Sequence, residues 1–141
     1  AGLAGLRMGF AVGSAYVIDR VSRVTGPYDI NSFAVAAAFA ALADQPYVDA
    51  YVKEVMLARE WLRSRLDASG VRYHLDGGNY LLIWPQQQPA EVEAALRKRG
   101  ILVRLMTGKP LIDGSLRVSI GTIEQMQQFW QAFATVESLA A

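Results

Sequence analysis

Three arginines stand where their neighbours leave a guanidinium available for an anion. Arg7 ends a run of small and apolar residues, Gly2-Leu3-Ala4-Gly5-Leu6-Arg7-Met8-Gly9. Glycines let a backbone approach a ligand closely, and a guanidinium grips phosphate in a bidentate fork. The same arginine also reads as one half of a salt bridge at a strand edge. Arg104 and Arg117 each fall in an alternating segment, opposite its apolar residues: Ile101, Val103 and Leu105 in one, Leu116, Val118 and Ile120 in the other. Two solvated strand arginines would give this pattern. So would a pair of anion clamps, because a substrate with both a carboxylate and a phosphate needs two well-separated cationic donors.

Other chemistries are poorly supplied. There is no cysteine, which excludes a disulfide scaffold, a thiolate zinc site and a cysteine nucleophile. His74 is the single histidine, so neither a histidine-based metal centre nor a Ser-His-Asp triad is expected. Lys and Arg total 14 against 13 Asp and Glu, a net charge of +1 without the basic excess of a general nucleic-acid binder. With 52% hydrophobic and 19% charged residues, a chain of 141 residues can bury a sizeable core. The most apolar runs, 33–42 and 80–84, are too short to cross a membrane, which takes about 20 residues. The apolar N-terminus is interrupted by glycines and Arg7, unlike a signal peptide. The chain lacks an initiator Met and opens inside a patterned segment, so the expectation is a piece of a longer protein.

These arginines need elements to hold them. Residues 8–13 read as a short buried strand with glycines at its ends. Ser14 suits the N-cap of a helix that shows Val17, Val21 and Val24 on one face and stops at Gly26-Pro27. Asn31 or Ser32 suits the cap of an Ala-rich helix over 33–42, apolar nearly all round and therefore expected to be buried on several sides. Asp44-Gln45-Pro46 breaks it, and a longer amphipathic helix follows over about 47–68, with Gly70 as its stop. Then the period changes. Val71, Tyr73 and Leu75 alternate, Asp76-Gly77-Gly78 turns the chain, and 80–84 is a more buried strand. An amphipathic helix over 89–99 precedes strands at 101–105 and 116–120, separated by a loop with Gly108, Pro110 and Gly114. Thr122 with Gln125 is a capping-box signature for a last helix, whose apolar face carries Met126, Phe129, Trp130 and Phe133. The order predicts an α+β fold with a mostly antiparallel sheet. Residues 1–45 differ in composition and read as part of a neighbouring domain; 46–141 form the α+β domain.

The Gly-Leu-Ala-Gly-Leu-Arg-x-Gly run resembles the segment that follows the Schiff-base lysine in fold-type I, pyridoxal-phosphate-dependent aminotransferases, and is most similar to the histidinol-phosphate aminotransferase branch. Further blocks agree, in order. Pro27-Tyr28-Asp29-Ile30-Asn31-Ser32 resembles Pro-Tyr-Asn-Val-Asn-Ser, and Ala43-Asp44-Gln45-Pro46-Tyr47-Val48 resembles Ala-Asp-x-x-Tyr-Val. Gly78-Asn79-Tyr80-Leu81-Leu82 resembles Ala-Asn-Phe-Leu-Leu, and Gly100-Ile101-Leu102-Val103-Arg104 resembles Gly-Ile-Leu-Val-Arg. Leu116-Arg117-Val118-Ser119-Ile120-Gly121-Thr122 is similar to Leu-Arg-Ile-Ser-Ile-Gly-Thr. The resemblance implies a large cofactor-binding domain ending near residue 45 and a small C-terminal domain after it. It implies that Arg7 binds the phosphate of pyridoxal 5'-phosphate, that Arg117 binds a substrate carboxylate, and that Arg104 meets a distal phosphate, although Leu105 stands where the family often has an acidic residue. Tyr28 and Asn31 map near the active-site entrance and read also as a turn residue and a helix cap.

The implied protein is a cytoplasmic homodimer that uses neither nucleic acid nor membrane. It moves an amino group between histidinol phosphate, or a related amino acid, and 2-oxoglutarate. An aromatic aminotransferase, a threonine-phosphate decarboxylase or a stand-alone binding domain would share much of the pattern. The Schiff-base lysine of the motif would stand eight residues before Arg7, ahead of Ala1. Lys53, Lys98 and Lys109 match no such motif, so the chain by itself is expected to be inactive and to hold the cofactor weakly or not at all.

Overall fold

A computed structural model describes residues 4–26 and 30–139. They fall into two compact units, Ala1–Tyr51 and Val52–Ala141.

In the first unit a 3-10 turn, Ala4–Leu6, leads into an irregular segment. The strand expected over 8–13 does not form: no residue there is in a strand, and Phe10 is 88% exposed. A strand needs a neighbour to satisfy its amides, and the described elements of this unit are helical. Helix α1, Ala15–Ser22, starts at Ser14, whose Oγ accepts from the Val17 amide. Helix α2, Ser32–Ala43, starts at Asn31, whose Oδ1 accepts from the Ala34 amide at 2.8 Å. Of its side chains only Ala34 is buried, and Phe33 and Phe39 are 84% and 71% exposed. The burial expected on several sides is therefore not supplied within this unit. Helix α3, Gln45–Ser69, begins here.

The second unit holds the core. The later part of α3 contributes Ala58, Leu62 and Leu66, and Gly70, at φ +68°, ends the helix in the left-handed region that glycine tolerates. Strands β1 (Arg72–Leu75), β2 (Tyr80–Trp84), β3 (Arg104–Met106) and β4 (Ser115–Ser119) form an antiparallel sheet in the order β1-β2-β4-β3. Helix α4 spans Pro89–Lys98, and α5 spans Ile123–Glu137. Leu81, Ile83, Leu116 and Val118 alternate onto one face of the sheet, and pack with Leu62, Leu66, Val92, Leu96, Met126, Phe129, Trp130 and Phe133 from the helices. This matches the expected fold class, with a shorter β3: residues 101–103 stay outside the ladder although Ile101 and Val103 still pack on the core.

Three polar links fix the ends of these elements. Thr122 caps α5 reciprocally with Gln125: its Oγ1 accepts the Gln125 amide, and its own amide donates to Gln125 Oε1. Glu137, buried at the far end of α5, accepts the amides of Gln86 and Gln87 at 2.6 and 3.3 Å, which holds the β2–α4 link against that helix. Tyr73 Oη donates to Asp67 Oδ1 at 2.6 Å, joining β1 to the end of α3. That bond to a carboxylate, with partial burial, raises the Tyr73 pKa above its ordinary value.

Candidate anion-binding site

Strand alternation sends every second side chain to the face away from the core. On that face stand Arg72, His74, Tyr80, Leu82, Trp84, Arg104, Met106, Ser115, Arg117 and Ser119, and the pairing fixes which of them meet. Arg104 and Arg117 are direct register partners across β3 and β4. The two donors therefore start from adjacent backbone positions, closer than the separation expected for a two-ended substrate. Their side chains differ in setting. Arg117 is partly buried, and its guanidinium carbon lies 4.5 Å from the centre of the Tyr80 ring on the neighbouring central strand, a cation–π contact. Arg104 is exposed on the edge strand on the other side of β4.

Two concavities meet at Arg117. A cleft of about 560 Å³ is lined by His74, Asp76, Gly78, Tyr80, Met106 and Arg117, among others. A shallower groove of about 320 Å³ is lined by Leu102, Val103, Arg104, Arg117 and Ser119. The cleft is closed on one side by the β3–β4 loop, which contributes Ile112. Asp113 pins that loop: its carboxylate accepts the Gly108 amide and its carbonyl accepts Trp84 Nε1 at 3.1 Å. Among the described residues no carboxylate forms an ion pair with Arg104 or Arg117. Two like charges directly opposite each other in a sheet repel, and an anion between or beside them relieves this.

Arg7 belongs to the first unit. It is exposed and has φ +57°, a left-handed conformation uncommon outside glycine. Just before it, the Leu6 carbonyl accepts Asn31 Nδ2 at 3.3 Å, so Asn31 caps α2 and also ties the Arg7 segment to the start of that helix. Tyr28 lies outside the described residues. Asn31 is thus brought beside the Arg7 segment, and Arg104 beside Arg117. Sequence reading assigned no role to Tyr80. The period-2 pattern places Tyr80, Leu82 and Arg117 on faces of their own strands, but only the register sets Leu82 opposite Arg117 and Tyr80 on the diagonal, within reach of its guanidinium.

A model of the class I and II aminotransferases matches residues 1–133. The chain belongs to the class I and II aminotransferase family. It is 39% identical over 144 aligned residues to the histidinol-phosphate aminotransferase of Rhodospirillum rubrum, covering 99% of the chain and 37% of that protein. The histidinol-phosphate aminotransferase of Clostridium acetobutylicum shares the fold, with a TM-score of 0.80 at 22% identity over 97% of the chain and 42% of its own. So does that of Sinorhizobium meliloti, solved with pyridoxal-5'-phosphate, at a TM-score of 0.75 and 23% identity over 97% of the chain and 38% of its own. The aminotransferase fold is thereby fold-type I, and the chain spans well under half the length of these relatives.

Proposed function

We propose that the chain is the C-terminal part of a pyridoxal-phosphate-dependent aminotransferase acting on histidinol phosphate or a related amino acid, with 2-oxoglutarate as the other partner. Residues 1–45 belong, in this reading, to the large cofactor-binding domain and 46–141 to the small domain. The observation that carries it is the pair Arg104 and Arg117, opposite each other on the open face of the sheet, without carboxylate partners among the described residues. Histidinol phosphate has no α-carboxylate. With histidinol phosphate as the substrate, Arg117 serves the glutamate half-reaction, holding its α-carboxylate in a bidentate fork, and Arg104 meets the phosphate of the other substrate.

The residues present fit one end of the cofactor. Arg7 offers an exposed guanidinium next to a segment anchored by Asn31, which suits a phosphate. When bound, pyridoxal phosphate supplies the electron-accepting ring that carries the amino group between substrates. The lysines of the chain lie in α3 (Lys53), at the end of α4 (Lys98) and in the β3–β4 loop (Lys109), and none belongs to the Arg7 segment. In this reading none of the three is the Schiff-base lysine, and the active protein is a homodimer.

The test is made in the family-length protein by measuring the two half-reactions separately. Arg117→Lys keeps the charge and loses the fork, which costs about 2–4 kcal/mol for a partly buried carboxylate pair. Efficiency towards glutamate falls roughly 30- to 1000-fold, at about 1.4 kcal/mol per tenfold. Arg104→Lys weakens the phosphorylated substrate and spares glutamate. Unchanged half-reactions in both variants would remove the assignment and leave two surface arginines.

A further inference from the structure

Two Asp-Gly steps lie on loops of the second unit, and their amides are held in opposite ways. Asp76-Gly77 sits in the β1–β2 turn, beyond the last paired residues, Leu75 and Leu81. Both residues are exposed, and the space around Gly77 is open. The Gly77 amide donates to Asp76 Oδ1 at 2.8 Å, its one hydrogen bond among the described residues. The side-chain carboxyl and the next amide are thus already in contact. Asp113-Gly114 lies in the β3–β4 loop. There the Gly114 amide donates to the Met106 carbonyl at 2.9 Å, and the Asp113 carboxylate accepts the Gly108 amide at 2.6 Å.

We propose that Asp76-Gly77 is a site of spontaneous covalent modification, at which native Asp76 converts to isoaspartate while Asp113 is protected. The Gly77 nitrogen bonds to Asp76 Cγ. The carboxyl hydroxyl leaves as water with the amide proton, and a five-membered succinimide closes. Water then opens the ring at one of its two carbonyls. Opening at the side-chain carbonyl restores aspartate. Opening at the main-chain carbonyl routes the backbone through Cβ and leaves the free carboxylate on Cα. Atoms balance with water as the one co-reactant, and no electrons are exchanged. Glycine at the second position presents no side chain to hinder the nitrogen. The hydroxyl leaves from the protonated carboxyl, so the reaction runs faster in mildly acidic than in neutral buffer. At Asp113 the same closure must first break the bonds to Met106 and Gly108.

The location gives the modification a consequence. Asp76, Gly77 and Gly78 line the same cleft as Tyr80 and Arg117. Isoaspartate lengthens the turn by one backbone carbon at the rim of that cleft. A Cβ on Gly78 would stand 3.2 Å from the Tyr80 ring, so a shift of the turn at that residue bears on Tyr80. The proposal does not depend on what the cleft binds.

The test is to hold the purified protein in native buffer for several weeks beside a sample in denaturant. Both are then digested, and isoaspartate is quantified at each site by fragmentation that separates it from aspartate. In the native sample isoaspartate accumulates at position 76 roughly 30-fold faster than at 113, the cost of two hydrogen bonds of about 1 kcal/mol each expressed as a ratio of rates. In denaturant the two sites convert at comparable rates. Asp76→Glu, whose longer side chain closes a ring far more slowly, abolishes the signal at 76 and leaves 113 unchanged. Native conversion at 113 equal to or above that at 76 overturns the proposal. So does the absence of native isoaspartate at 76, whatever the denatured sample shows.

Discussion

Arg117 is held by a ring rather than by a counter-ion, and this shapes what its neighbours do. A cation–π contact at a partly exposed site contributes about 0.5–1 kcal/mol, and in the proposed reading it orients the guanidinium that takes a carboxylate. Tyr80→Leu, which removes the ring, should lower the efficiency of the family-length protein towards glutamate about two- to fivefold, at about 1.4 kcal/mol per tenfold. Tyr80→Phe keeps the ring and should stay near the parent value. Separate half-reaction kinetics read both variants; equal losses in both would assign the effect to the hydroxyl instead. Alternation alone puts Arg104 and Arg117 on the face opposite Leu105, Leu116 and Val118, as found. It cannot say that Arg104 faces Arg117, or that Tyr80 underlies one of them. Those facts depend on register, which is set by pairing between segments distant in sequence.

Among the elements, the ones read correctly carry their own local signals. Ser14, Asn31 and Thr122 each cap the helix expected from them. The strands and helices after Gly70 follow the change of period. The misread segments lacked a partner rather than a pattern. Residues 8–13 have strand-like composition and no neighbouring strand, and 101–103 alternate without joining β4. The start of α5 offers a sharp test. Thr122→Ala removes the oxygen that accepts the Gln125 amide and should cost about 1 kcal/mol. Gly121→Ala acts differently. A Cβ there meets Gln125 Oε1, and swinging that flexible side chain away loses its bond to the Thr122 amide, a loss of about 0.5–1.5 kcal/mol. Against this, alanine restricts the unfolded chain and returns about 0.4–1 kcal/mol. Denaturant unfolding of the second unit should show Thr122→Ala clearly destabilised and Gly121→Ala near neutral.

The two units differ most in what they bury. The second has a closed core from three helices and one face of the sheet, whereas the first leaves Phe10, Phe33, Phe39 and Leu42 largely exposed. Large exposed apolar side chains in such number drive association. The chain by itself should therefore form dimers or larger species, and Phe33→Glu with Phe39→Glu should reduce them. Light scattering over a wide concentration range checks this, and a monomer throughout would contradict it. The apolar character of 33–42 was plain in the sequence. What covers it was not, because a helix that is apolar all round states that it needs neighbours without naming them.

The short edges of the sheet have a bearing on solubility. β1 has four residues and β3 three, and each ends one side of the sheet. An unpaired strand edge is a template for runaway pairing with other molecules, and charge on a short edge strand discourages it. Arg72 sits on one edge and Arg104 on the other. A charge on each short edge thus guards against fibrillar growth, and replacing Arg104 with an apolar residue would remove that protection on the β3 side.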